Sequence, residues 1–157
     1  MKKRTVYLIL DDIRSAHNVG AIFRTADAAG VSKIYLTGYT PAPLDRFERP
    51  RKDIAKAALG SEKTVPWKSA AIGPLLRRLK KEGVKIIALE QDKGAVDYKR
   101  VRLPEKSALM FGNEVNGLQG SVLRLCDEVA EIPMHGKKES LNVSVAAGIA
   151  LYRLLRL

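Results

Sequence analysis

Cysteine is almost absent from this chain: Cys126 is the only one in 157 residues. No internal disulfide can form, so the fold must rest on burial, and a reducing compartment is expected. Histidine is nearly as scarce, and His17, His135 and Cys126 make no cluster with metal-ligand spacing; no metal is expected. No apolar run approaches the roughly 18 residues that span a bilayer, so no membrane partner is expected. The basic start Met1-Lys2-Lys3-Arg4 resembles the opening of a signal peptide. The apolar run that follows stops at Leu10, before Asp11-Asp12, which is too short for a signal core. A cytoplasmic strand is the expectation. Two phosphate-binding signatures are also missing. No G-x-G-x-x-G occurs, and although Gly112 and Gly117 have P-loop spacing, Leu118-Gln119 stands where the lysine and hydroxyl would be. Without a repeat, a low-complexity tract or a linker, the length suits one domain over residues 1–157.

Positive charge is abundant. Lys and Arg number 28 against 17 Asp and Glu, a net charge of +11. The surplus sits in the first 106 residues, while residues 107–157 carry five charges of each sign. That asymmetry points to a polyanion-binding face and a separate neutral face.

Strand and helix patterns alternate along the chain. Thr5–Leu10, Lys33–Thr37, Val84–Glu90, Ala108–Phe111 and Glu128–Ile132 are predicted strands. Asn18–Ala29 is a predicted helix, because Val19, Ile22, Phe23, Ala26 and Ala29 recur at helical spacing; Asn18 is suited to cap it and Gly30 to end it. Further helices are predicted over Lys52–Leu59, Ala70–Lys81 (closed by Gly83), Gln119–Cys126 and Asn142–Leu157, with Gly38–Pro50 as a loop. This order implies an α/β fold with a Rossmann-like, mainly parallel sheet, whose ligands sit beyond the carboxyl ends of the strands. The last helix is apolar around nearly its whole circumference, which implies either full burial or a subunit interface.

Three loops follow predicted strands. The first runs from Asp11 to Asn18 and leads into Gly20-Ala21-Ile22-Phe23-Arg24-Thr25. Arg24 lies off the apolar stripe: it is either a surface arginine paired with Asp27 or one set beside a bare glycine backbone where a phosphate can approach. His17 is read as a loop histidine. The second loop, Gly112-Asn113-Glu114-Val115-Asn116-Gly117, makes a tight turn around a carboxylate that could hug a ligand. The third is Ile132-Pro133-Met134-His135-Gly136, followed by Ser140-Leu141-Asn142-Val143-Ser144; Ser140 or Asn142 could cap the last helix. A basic loop holding Arg46, Arg49, Arg51 and Lys52, with Lys56, is either a nucleic-acid contact or a solvated loop balanced by Asp45, Glu48 and Asp53.

Taken in order, the three loops resemble the motifs of the SPOUT methyltransferases, specifically the TrmH/SpoU family of RNA ribose methyltransferases. The matching residues are Asn18 to Ala26; Gly112-Asn113-Glu114 with Gly117-Leu118; and Ile132-Pro133-Met134 with Ser140 to Ala146. The resemblance implies a single α/β-knot domain with a C-terminal trefoil knot, S-adenosylmethionine as cofactor, tRNA or rRNA as substrate, and a homodimer joined through the C-terminal helix. It also implies roles. Arg24 would be catalytic and RNA-binding, with Asn18, Glu114, Ser140 and Asn142 supporting it. Leu89, Gly112, Glu114, Ile132, Met134 and Leu141 would wrap the adenosine. Arg46, Arg49, Arg51 and Lys52 would bind RNA. Three alternatives are weighed: a non-catalytic RNA-binding or cofactor-sensing module of the same fold, methylation of a base instead of a ribose, and an unrelated nucleotide-binding α/β enzyme, which the missing phosphate-loop signatures disfavour.

Overall fold

A computed structural model describes residues 3–157; Met1 and Lys2, the start of the basic N-terminus noted above, lie outside the described residues. The chain forms β1 (Thr5–Asp11), α1 (Ala16–Ala28), β2 (Lys33–Thr37), α2 (Lys52–Ala58), α3 (Ser61–Thr64), β3 (Trp67–Ala70), α4 (Ile72–Lys81), β4 (Lys85–Leu89) and β5 (Val96–Asp97). A 3-10 turn (Tyr98–Arg100) leads on to β6 (Lys106–Phe111), α5 (Gly120–Leu123), β7 (Glu128–Glu131) and α6 (Val143–Leu155). All strand pairings are parallel, in the order β3-β2-β1-β6-β4-β7-β5.

The central strands are buried on both faces, which is why they read as continuous apolar runs. Alternate residues supply two cores. Leu8, Leu10, Leu36, Leu109 and Phe111 pack with α1 and α6 on one face. Ile9, Tyr35, Ala88 and Met110 pack with Leu75, Leu76 and Leu79 of α4 and Val122 of α5 on the other.

Helix α1 buries the stripe Val19, Ile22, Phe23 and Ala26. Its cap is Ser15, whose Oγ accepts the Asn18 N–H at 3.1 Å, so the cap lies three residues before the position expected and His17 is helical. The helix ends as foreseen. Gly30 takes φ 72°, its N–H bonding Asp27 and the Val31 N–H bonding Ala26, the paired closure of a Schellman motif. Gly20 lets α1 and α2 meet, since a Cβ there would stand 2.5 Å from the Ile54 carbonyl oxygen. Such contact leaves no room for any larger residue.

Two further sequence expectations need correction. Ala70, expected to open a helix, closes the short edge strand β3, and α4 starts at Ile72. The helix expected over Gln119–Cys126 is the single turn α5. Of the two readings of α6, full burial does not hold: Val145, Ile149 and Tyr152 are 50%, 37% and 43% exposed, a contiguous apolar face at i, i+4, i+7 spacing.

A candidate cofactor cleft and its hydrogen-bonded rim

Beyond the carboxyl ends of β4, β6 and β7 lies a cleft. Leu89, Phe111, Ile132, Leu141, Val143 and Ala146 give it apolar walls; Glu90, Gln91, Asn113, Glu114 and Ser140 give it polar ones. Its position is where ligands of open parallel sheets bind. Gly112 lies in the wall, and a Cβ on it would meet the Gly117 carbonyl carbon, the Leu118 nitrogen and the Leu118 side chain, each at 2.7 Å. The turn is therefore closed on itself as tightly as backbone permits.

Asn113 builds that turn. Its Oδ1 accepts the N–H groups of Val115 and Asn116, both at 2.9 Å, an Asx-type arrangement. Its Nδ2 reaches the Asp12 carbonyl and the Tyr39 hydroxyl, both at 2.8 Å. Glu90 fixes the far side, accepting the Leu118 N–H at 2.8 Å, and Gln91 donates to the Ile132 carbonyl at 3.0 Å. The loops after β4, β6 and β7 are thus cross-linked around the cleft.

Glu114 forms the rim. Its carboxylate accepts the N–H groups of Arg14 and Ser15, both at 3.0 Å, and the Asn18 amide at 3.3 Å. Burial pushes the Glu114 carboxyl up, but the N–H donors of Arg14 and Ser15, its own backbone N–H and the Asn18 amide together outweigh this and hold it below its ordinary value. Asn18, itself buried, passes the chain on: its Oδ1 accepts from the Asn142 Nδ2 at 3.2 Å. Asn142 caps α6, accepting the Ser144 N–H at 2.9 Å. One network therefore joins all three candidate loops.

Of the residues singled out in the sequence, Leu89, Gly112, Glu114, Ile132, Ser140 and Leu141 line the cleft, while Asn18 and Asn142 brace its rim through hydrogen bonds. Met134 does not line it. Neither does Arg24, which is exposed and opens onto a separate depression with His17, Lys56, Leu59 and Tyr152. No ion pair joins Arg24 to Asp27; the latter accepts from the Thr64 hydroxyl at 2.9 Å.

The basic loop reaches from the carboxyl end of β2, at the same end of the sheet. Two of its charges are balanced within it: Arg49 pairs with Asp45 and Arg51 with Asp53, each at 2.9 Å. Arg46, Arg49 and Lys52 are exposed. The loop is ordered by Asp45, which accepts the N–H groups of Phe47 and Arg49. Phe47, 61% exposed, has guanidinium carbons of Arg46 and Arg49 at 4.7 and 4.9 Å from its ring centre.

Sequence reasoning missed Glu90, Gln91, Tyr39 and Phe47. The first two were discoverable, because they directly follow a parallel strand and so stand where ligands gather. Among the described residues no helix is long and apolar enough to cross a membrane.

Known proteins resemble this chain in sequence and fold. Residues 5–152 match the SpoU rRNA Methylase family. The 23S rRNA (guanosine-2'-O-)-methyltransferase RlmB of Neisseria meningitidis is 39% identical over 145 residues, which are 92% of this chain and 55% of that protein. The tRNA (guanosine(18)-2'-O)-methyltransferase of Escherichia coli is 34% identical over 148 residues, 94% of this chain and 61% of that one. The chain thus spans little more than half the length of these curated relatives. Among solved structures, an AdoMet-bound rRNA methyltransferase from Sinorhizobium meliloti superposes with a TM-score of 0.88 at 32% identity, covering 99% of this chain and 57% of that one. A structure described by the 2-OH methylation of C/U34 on tRNA gives 0.83 at 27% identity and covers 98% of this chain and 95% of that one.

Proposed function

The chain belongs to the SpoU rRNA Methylase family, and from that premise we propose that it transfers a methyl group from S-adenosylmethionine to a ribose 2′-hydroxyl of tRNA or rRNA. The observation that carries this reading is the network through Glu114, Asn18 and Asn142, which gathers three distant loops at the mouth of one cleft.

The cleft fits such a cofactor in kind. Apolar Leu89, Ile132 and Leu141 suit an adenine ring, the closed turn at Gly112 offers backbone groups for its edge, and the carboxylates of Glu90 and Glu114 suit a cationic group. When bound, the cofactor supplies a methyl on a sulfonium, ready for in-line transfer. The chain's own residues then have to orient the hydroxyl, which is where much of the rate of such a reaction arises. Arg24 orients the ribose–phosphate and stabilises the negative charge that the 2′-oxygen gains as its proton leaves to water; a guanidinium holds its own proton too firmly to be an efficient base.

Arg24 lines a depression separate from the cleft of its own chain, and the exposed face of Val145, Ile149 and Tyr152 lies on the helix that borders that depression. Both features support a homodimer through α6, in which Arg24 and the cleft are brought together across the interface. The order of strands, with β7 placed outside β4 and the chain then returning to pack α6 on α1, supports a knotted C-terminal trace. The loop of Arg46, Phe47 and Arg49 supports an RNA contact, since an aromatic ring flanked by guanidinium groups suits an unstacked base. RNA as substrate supports a cytoplasmic site of action.

The deciding experiment is nucleoside mass spectrometry of unmodified tRNA and rRNA incubated with the protein and S-adenosylmethionine. A 2′-O-methylnucleoside is expected, and its absence in Arg24→Ala, with cofactor binding retained. A methylated base would replace the ribose reading, and undiminished product from Arg24→Ala would remove that residue from the mechanism.

A further inference from the structure

A cluster of cationic side chains lies far from the cleft. At the amino ends of β1 and β6, where the last turn of α6 arrives, a pocket of about 510 Å³ is lined by Arg4, Lys99, Arg100, Arg102, Arg153 and Arg156. All six are exposed. Arginine makes up 13 of the chain's 28 Lys and Arg residues, yet it supplies five of these six. The planar fork of arginine binds phosphate oxygens in pairs, which lysine cannot do.

Two carboxylates stand nearby. Asp97 is engaged with Lys99, accepting its N–H at 2.9 Å and facing its ammonium at 3.4 Å. Glu105 is adjacent to the Arg4 end of the pocket, its carbonyl accepting the Thr5 N–H. Among the described residues, six cations and no Asp or Glu line the pocket, a concave arrangement that attracts a polyanion. The partial negative charge at the carboxyl end of α6 favours Arg153, but it gives no reason for Arg4, Arg100 and Arg102, which come from other segments. Arg153 and Arg156 belong to the third of the sequence whose charges balance. The expectation of a neutral face there is therefore wrong at its end, because folding moves these two beside four cations from elsewhere.

We propose that this pocket binds backbone phosphates of the RNA substrate, as an anchor separate from the reacting site. The proposal rests on the RNA methyltransferase reading above. From Asn142 at the rim to Arg153, α6 covers about 17 Å at 1.5 Å per residue, and β1 covers about 20 Å between the same two ends. An RNA held at both places must extend well past the nucleotide it presents for methylation, so the anchor favours large folded RNA over short fragments.

The test compares the full chain with Arg100→Gln/Arg102→Gln and with Arg100→Lys/Arg102→Lys, measuring affinity for bulk unmodified tRNA and rRNA across a range of salt. Melting temperature and S-adenosylmethionine binding, expected unchanged, show that each variant is folded. With two phosphate-binding cations removed, the glutamine pair should bind RNA roughly 10- to 60-fold more weakly near 0.1 M salt, with the log–log salt slope smaller by about 2. The lysine pair, which keeps the charges, should retain most of that slope. Unchanged affinity and slope in the glutamine pair would overturn the anchor while leaving the methyltransferase reading intact; absence of RNA binding by the unmutated chain would remove both. Titration with inorganic phosphate and ATP separates the sources of phosphate. Tight saturation by either, abolished in the glutamine pair while RNA affinity is unmoved, would assign the pocket to a small phosphate compound and overturn the RNA anchor.

Discussion

Replacing Glu114 by Gln tests whether its charge holds the rim together. The carboxylate accepts three N–H groups, those of Arg14 and Ser15 from the backbone and that of the Asn18 side chain. Glutamine keeps one acceptor oxygen and turns an N–H₂ toward the remaining donor. Hydrogen bonds to a charged acceptor contribute about 1.5–3 kcal/mol and neutral ones about 1, so two weakened bonds and one broken bond, moderated by water at a partly exposed site, amount to about 2–3 kcal/mol. For a domain of this size each kcal/mol moves the melting temperature by about 2–4 °C, giving a fall of about 5–10 °C at pH 7. The pH dependence has a definite sign. The folded-state pKa of Glu114 lies below its ordinary value of 4.5, so the charge contributes its full stability above that value and loses it as pH falls through the folded-state pKa. The gap between the unmutated protein and the Glu114→Gln variant should therefore be widest at neutral pH and close on acidification below about 4.5. Thermal melts at pH 7, 5 and 3.5 check this. Equal melting temperatures at pH 7, or a gap that persists unchanged at pH 3.5, would refute the reasoning.

Gly112→Ala drives a methyl group to 2.7 Å from Gly117 and Leu118; overpacking of that kind costs about 1–3 kcal/mol, and titration calorimetry should show S-adenosylmethionine binding weakened by more than about tenfold. Phe47→Ala, at an exposed position, should change stability by no more than about 0.5 kcal/mol while weakening RNA binding by about 1–3 kcal/mol, the contribution of one stacked base; a filter-binding assay beside a melting curve separates the two. Burial pushes the Cys126 thiol up to about 12, so maleimide labelling at pH 7.5 should be slow in the folded protein and fast after unfolding.

The central strands and the carboxyl end of α1 were legible because each is set by local chemistry: unbroken apolar runs for buried parallel strands, a glycine where φ must turn positive. The cap of α1 was misassigned because Asn18 has a second partner. With its side chain engaged by Glu114 and Asn142, capping falls to Ser15. Strand β3 was hidden because an edge strand of four residues that leaves Lys68 and Ser69 exposed has neither the length nor the continuous apolar character of its neighbours. The motif resemblance located most of the cleft. It could not separate Arg24 from the cleft, because the depression that Arg24 lines is built with Lys56, Leu59 and Tyr152 from other elements, a juxtaposition that only coordinates reveal. Nor could it reveal the arginine pocket, whose members lie up to 152 residues apart in the sequence.

The hydrogen bond between Asn18 and Asn142 spans 124 residues, and this has a kinetic consequence. The first loop of the rim is made early in synthesis, but its last partner arrives with the cap of α6. Until then Asn18 has no side chain from α6 to meet, and the wall formed by Leu141, Val143 and Ala146 is missing. Contacts of such long sequence separation slow folding, because the chain loses loop entropy before they form. The cleft should therefore be the last part of this domain to mature, assembled only when α6 docks. Before that moment the nascent chain exposes the apolar patch that α6 later covers, and there it is most open to aggregation.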